Sequence, residues 1–184
     1  MGIAIDPTTE QLVADLYKID GKAEIVGGQI VMMSPAGDMP NGAAFAIAVS
    51  LREYSLQFGG RAYTDNAAFL VNLPNRKSFS PDAAYYTGRR GLMKFLSSAP
   101  DFAAEVRSEG DYGPTAERKM ATKRTDYFAA GTKVVWDVDL LGEDVVRVYR
   151  ADSPEEPAIY RRGETAEAEP GVPGWNFAVD ELFD

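Results

Sequence analysis

The sequence predicts a mixed α/β domain, α+β in the arrangement of its elements, built on a mixed β-sheet flanked by helices. Three observations carry that expectation. Apolar or small residues recur at helical spacing in two segments, Leu12-Val13-Leu16-Tyr17 and Ala44-Ile47-Ala48-Leu51-Tyr54-Ser55-Phe58. Short runs rich in β-branched and aromatic residues alternate with turns bearing glycine, proline or asparagine through the middle of the chain. A polar, helix-like segment, 116–130, separates two of the most apolar runs, so helices and strands are interleaved along the chain.

A chain of 184 residues, 45% of them hydrophobic, is long enough to bury a substantial core as one domain spanning 1–184. Within it, 1–20 is expected to form an N-terminal helical arm and 151–184 a C-terminal extension packed on the domain. The sequence has neither cysteine nor histidine. That excludes disulfides, thiolate and zinc-finger sites, and nucleophilic mechanisms that need an imidazole base. Any bound metal is held by oxygen, which points to a hard ion such as Mg2+, Mn2+ or Ca2+. Net charge is −9, from 28 acidic and 19 basic residues, and disfavours avid binding to nucleic acid without excluding a local basic patch. Residues 1–20 lack a basic and apolar leader, and no apolar run reaches membrane-spanning length, so a soluble, cytoplasmic protein is expected, without a membrane partner.

The elements follow in order. Asp6-Pro7-Thr8-Thr9-Glu10 reads as a capped start of a short amphipathic helix. Ala23-Glu24-Ile25-Val26, Gly27-Gly28 and Gln29-Ile30-Val31-Met32-Met33 read as strand, two-glycine turn and strand. After the Ser34–Gly37 loop and Pro40-Asn41 comes a long half-buried helix ended by Gly59-Gly60. Arg61-Ala62-Tyr63 and Ala67–Asn72 read as two strands separated by Thr64-Asp65-Asn66, and Ser80–Tyr86 as the next. Leu92–Leu96 is long enough for one or two helical turns before Ala99-Pro100-Asp101 stops it. Phe102–Val106 is apolar on both faces except at Glu105, the pattern of a central strand carrying a carboxylate near its end. Thr115 is placed to cap the helix 116–130, with Gly131 just past its end. Val134–Val138 and Val145–Tyr149 read as a second hairpin. The tail holds a candidate strand at Ala158-Ile159-Tyr160, and Trp175, Phe177, Leu182 and Phe183 are too many large apolar groups for a solvated segment.

Two candidate strands thus carry one carboxylate each, Asp82 and Glu105, and the helix after the second carries Lys119 and Lys123 one turn apart on one strip. Paired carboxylates and an ammonium are the minimum set for metal-assisted attack on a phosphodiester. Singly, each residue has an ordinary alternative: a turn aspartate after proline, a paired strand glutamate, a solvated helix lysine.

At Ser80-Pro81-Asp82, Ala103-Ala104-Glu105-Val106-Arg107-Ser108 and Lys123-Arg124-Thr125-Asp126-Tyr127-Phe128-Ala129-Ala130-Gly131 the chain resembles the Uma-type endonuclease family. The likeness extends from the first hairpin through Trp136-Asp137-Val138-Asp139 to Pro173-Gly174-Trp175-Asn176-Phe177. It implies a restriction-endonuclease-like fold of the PD-(D/E)XK phosphodiesterase superfamily, with a mixed sheet flanked by helices and a divalent metal. It further implies Asp82 and Glu105 as ligands of Mg2+ (or Mn2+), joined by the Val106 carbonyl. The superfamily lysine would stand two residues after the glutamate, where this chain has Arg107; in this family it comes from the following helix, where Lys123 is the best match and Lys119 the reserve. Glu24 matches a glutamate of the family's first hairpin, whereas Asn41 stands where members often carry histidine.

The expected function is therefore a Mg2+-dependent endonuclease, with Asp82, Glu105 and Lys123 as the catalytic set and the lysine orienting or deprotonating a water. Two rivals stand beside it: a binding module of nuclease fold without turnover, and a hydrolase of a small phosphodiester. The hairpins and the aromatic tail point to a homodimer.

Overall fold

The computed structural model describes residues 7–184. The expected cap at Asp6 lies outside them. The order is α1 (Pro7–Leu16), β1 (Ala23–Val26), β2 (Gln29–Met32), α2 (Asp38–Phe58), β3 (Arg61–Thr64), β4 (Phe69–Leu70), β5 (Ser78–Phe79), β6 (Ala83–Tyr86), β7 (Phe102–Val106), α3 (Pro114–Ala129), β8 (Val134–Val138), β9 (Val146–Arg150), β10 (Ser153–Tyr160), β11 (Thr165–Glu167), β12 (Asn176–Ala178) and a 3-10 turn (Val179–Phe183). The fold is a mixed sheet flanked by helices. Its main sheet has six strands in the order β10-β9-β8-β7-β6-β3. Only β7 and β8 run parallel, joined by the α3 crossover; the other neighbours are antiparallel.

Alternation along the central strands sorts two cores. Phe102, Ala104 and Val106 of β7, with Val134, Trp136 and Val138 of β8, face α2 residues Ile47 and Leu51 and the C-terminal residues Trp175, Phe177 and Leu182. Ala103 and Val135 face the opposite way, with Ala84, Tyr86, Phe69, Phe79 and α3's Tyr127. Glu105 shares parity with Ala103, and Asp82, just before β6, shares it with Ala84. Both carboxylates therefore belong to the α3 side. A third cluster, of Leu16, Ala23 and Ile25, seats α1 on the first hairpin.

Five local expectations are corrected. Leu92–Leu96 forms no helix: Gly91–Lys94 is a turn and Leu96 bridges Phe69, because five residues between two surface loops gain more from pairing with β4 than from one unsupported helical turn. Ser80–Tyr86 is not one strand; β5 ends at Phe79, and β6 begins after Pro81, which has no N–H for a ladder. The two strands expected at 61–63 and 67–72 form, but β3 joins the main sheet while the shorter β4 pairs with β5. Thr115 does not cap α3: Gly113 holds the cap position at φ 90° and Pro114 fills the first turn, where a missing N–H costs nothing. Similarly, α2 starts at Asp38, with Pro40 tolerated in its first turn.

Candidate active site

The polar cluster lies where β6 begins and β7 ends. Asp82 is pinned from the backbone: its N–H donates to Ala104 O at 3.1 Å, and its Oδ2 accepts the Val106 N–H at 2.7 Å. Its other oxygen, Oδ1, accepts from Lys22 Nζ at 2.6 Å. Lys22, immediately before β1, also lies 2.6 Å from Asp65 Oδ1.

Glu105 projects from β7 towards α3. Its Oε1 accepts the Tyr127 hydroxyl at 2.6 Å and its Oε2 accepts from Lys123 Nζ at 2.8 Å. One helical turn separates Lys123 from Tyr127, which is why a single face of α3 delivers both. Lys123 also lies 2.9 Å from Oε1 of Glu24 in β1. Glu24 is buried and otherwise saturated, accepting the Ser80 N–H at 2.8 Å and pairing with Arg76 Nη1 at 2.5 Å. Arg76 in turn donates through Nε to Asp126 at 2.8 Å. Beneath them Phe79 and Tyr127 stack with centroids 3.9 Å apart.

Asp82, Glu105, Lys123 and Glu24 are thus brought together, and Val106 is joined to Asp82 through its N–H. Lys119, the reserve lysine, is exposed and takes no part. Arg107 is buried on a different network, donating to both oxygens of Asp137 at 2.8 Å and pairing with Glu117 at 2.5 Å. Asn41 lines a recess of about 20 Å³ between the start of α2 and the strand ends, together with Pro40, Asp65, Asp82, Val106 and Ser108. Lys22, Arg76, Tyr127 and Asp65 were not singled out from the sequence. Tyr127 stood within the Lys123–Gly131 stretch and Asp65 within a turn between two expected strands, but neither position signalled a side chain aimed at the cluster.

The electrostatics show how crowded the negative charge is. Burial is the largest influence on Glu105 and raises its carboxyl above the ordinary range; Lys123 opposes this, and Asp82 and Glu24 add to it. Burial works against ionised Glu24 too, but Lys123, Arg76 and the Ser80 N–H outweigh it and hold its carboxyl below the usual value. Burial disfavours the Lys123 ammonium, yet Glu105 and Glu24 overcome it and raise the lysine above its normal value. Five carboxylates (Glu24, Asp65, Asp82, Glu105, Asp126) face three cations (Lys22, Arg76, Lys123), which leaves two negative charges unbalanced.

No group of three acidic side chains poised for a metal occurs among the described residues, and the positions beside Asp82 and Glu105 are held by Lys22 and Lys123. In donor type and in surplus charge the cluster nonetheless fits one hard divalent ion, with two carboxylates and a strand-end carbonyl as oxygen donors.

No curated protein matches the chain. A crystal structure of a protein from Anabaena variabilis ATCC 29413, described as a putative nuclease belonging to DUF820, superposes with a TM-score of 0.72 at 17% sequence identity, covering 94% of this chain and 97% of that one. At that identity the likeness establishes the shared fold. No helix among the described residues is long and apolar enough to cross a membrane. The model of the Uma2 family, described as "Putative restriction endonuclease", matches residues 10–180, and the chain belongs to that family.

Proposed function

We propose that the chain is a metal-dependent endonuclease that hydrolyses phosphodiester bonds in nucleic acid, with Asp82, Glu105 and the Val106 carbonyl holding Mg2+ or Mn2+. The observation that carries this reading is the meeting of Asp82, Glu105 and Lys123 on one side of the sheet, at the adjoining ends of β6 and β7. When bound, the ion neutralises the carboxylates, polarises a phosphate oxygen and lowers the pKa of a bound water.

The chain's own residues do the positioning. The Val106 N–H fixes Asp82 through Oδ2 and leaves Oδ1 as its variable oxygen. The Tyr127 hydroxyl fixes Glu105 through Oε1 and leaves Oε2 towards Lys123. Because Glu105 and Glu24 keep Lys123 protonated, its Nζ serves as a donor that orients the attacking water and meets charge developing on the phosphate. Of the two lysine roles expected from the sequence, this favours orientation over proton removal. Arg107 is committed to Asp137 and is no base, since a guanidinium stays charged.

A binding module without turnover is the second reading. It is favoured by one observation: Lys22 and Lys123 already satisfy Asp82 and Glu105 without a metal.

Melting curves with and without Mn2+, together with a cleavage assay, separate the two. The nuclease reading expects Mn2+ to raise the Tm of the wild type and not of Glu105→Gln, and expects Asp82→Asn and Glu105→Gln to lose Mn2+-dependent cleavage while staying folded. An equal Mn2+ response in wild type and Glu105→Gln, with no cleavage by either, overturns it in favour of the binding module.

A further inference from the structure

Residues 87–98 read Thr-Gly-Arg-Arg-Gly-Leu-Met-Lys-Phe-Leu-Ser-Ser, with Arg89, Arg90 and Lys94 but no carboxylate, in a chain of net charge −9. At the tip, Leu92 and Met93 are 90% and 96% exposed, more than any other large apolar side chain among the described residues. The tip is held in shape. The Lys94 N–H donates to Gly91 O at 2.9 Å, Leu92 takes a left-handed φ of 54°, and a Cβ at Gly91 would collide with Lys94 O, so only glycine closes this turn. Its two arms are anchored. Gly88 O accepts from Arg61, Phe95 stacks on Tyr17 at 3.8 Å, and the Leu96 N–H donates to Ala68 O at 3.0 Å. Arg89, Arg90 and Lys94 form no ion pair among the described residues.

We propose that Leu92 and Met93 form a wedge that enters between base pairs of double-stranded nucleic acid from the minor groove, with Arg89, Arg90 and Lys94 on the flanking phosphates. A rigid apolar tip in a cationic collar matches a polymer that is anionic outside and apolar within its stack. An anionic lipid surface has the same layering. The duplex is favoured because the tip is tied to an element of the candidate active site: Phe95 packs against the cluster of Leu16, Ala23 and Ile25, and β1 presents Glu24 to that site from its opposite face. The identity of the partner rests on the nuclease reading.

The test is binding of a fluorescent duplex containing 2-aminopurine, with EDTA present so that nothing is cleaved. Wild type is expected to bind and to raise the 2-aminopurine signal; Leu92→Ala/Met93→Ala is expected to bind roughly tenfold more weakly with no rise. Arg89→Ala/Arg90→Ala/Lys94→Ala is expected to flatten the dependence of log K on log salt by about 2.7, or 0.9 per lost phosphate contact. Unchanged binding and unstacking by the Leu92/Met93 variant overturns the wedge, even if wild type cleaves DNA with Mn2+. Wild type that binds phosphatidylserine vesicles but no duplex overturns it too, assigning the tip to a membrane. Wild type that unstacks the duplex through the tip yet never cleaves upholds the wedge and defeats the nuclease reading alone.

Helix α2 independently exposes an uncovered seam. Phe45, Val49 and Leu56 are 63%, 41% and 68% exposed, and with Gly42 and Arg52 they follow alternating spacings of three and four along one side of the helix. Arg52 and Glu53, both exposed, make no ion pair among the described residues and border a groove of about 250 Å³ between α2 and edge strand β3. We infer that this seam binds a second copy of the chain, α2 against α2 in antiparallel sense. A twofold axis beside Arg52 and Glu53 sets Arg52 against the other copy's Glu53 and Val49 against its Leu56, so the surface is complementary to itself. Sedimentation velocity is expected to show a wild-type dimer and a folded Leu56→Glu monomer. Arg52→Glu and Glu53→Arg chains are expected to be monomers separately and to form a heterodimer when mixed. A wild type that stays monomeric up to its solubility limit, or folded single variants that ignore each other on mixing, overturns the inference.

Discussion

The Lys22 ammonium lies 2.6 Å from Asp82 Oδ1, so one of the two carboxylates proposed as metal ligands already has a cation supplied by the chain. Removing that charge by Lys22→Met frees Oδ1 without touching the Val106 N–H that orients the carboxylate. Calorimetry is expected to show Mn2+ binding tightened by about tenfold, a modest share of the Coulomb energy between unit charges at this range. Affinity equal to that of wild type would show that Lys22 and the ion do not compete.

Lys123 separates Glu105 from Glu24, and no other cation among the described residues pairs with both. Lys123→Met leaves two shielded carboxylates facing each other and is expected to cost about 3–5 kcal/mol in metal-free urea denaturation. The exposed Lys119, one turn earlier, should tolerate the same change within about 0.5 kcal/mol. Equal costs at the two positions would contradict the geometry.

Asp137 accepts from Arg107 and also pairs with Arg124 at 3.4 Å. Burying this network inside the β7–α3–β8 unit makes Asp137 a structural anchor. Asp137→Ala is expected to cost about 3–5 kcal/mol, because it leaves the largely buried Arg124 guanidinium without its carboxylate and Arg107 with only the half-exposed Glu117. A loss below about 1 kcal/mol in the same denaturation would show that solvent reaches them freely.

Asp101, at the start of β7, accepts the N–H and hydroxyl of Thr87 at 2.8 and 2.7 Å and a Lys133 ammonium at 2.9 Å. Burial opposes its ionisation, but those donors prevail and hold its carboxyl below the ordinary value. A depressed carboxyl contributes stability above its unfolded pKa and loses it as pH falls through the lower folded value. Asp101→Asn should therefore be less stable than wild type by about 1–2 kcal/mol at neutral pH, with the gap closing below about pH 4. A gap independent of pH would mean that the charge contributes nothing.

Elements with strong internal patterning were legible in the sequence. The Gly27-Gly28 hairpin, the long stripe of α2 and the β7–α3–β8 unit lie where apolar spacing places them. So does the shared side of Asp82 and Glu105, which follows from strand alternation once the strands are paired. The companions of those residues were not legible. Lys22 meets Asp82 across 60 positions and Arg76 meets Glu24 across 52, and no local spacing encodes such encounters. Leu92–Leu96 misled for a related reason: its helical composition is outweighed by a backbone bridge to Phe69, a partner set by the fold.

Both tryptophans of the chain sit in one buried nest, Trp136 from β8 and Trp175 from the C-terminal segment, with ring centroids 5.1 Å apart and Phe102 and Phe177 around them. Their excited states report on the same boundary, where the last stretch of chain closes over the sheet. Peeling that stretch away hydrates both indoles together, so intrinsic fluorescence should shift to the red as a single event. Quenching by acrylamide then times the detachment of the C-terminal segment against the far-ultraviolet signal of the sheet and helices.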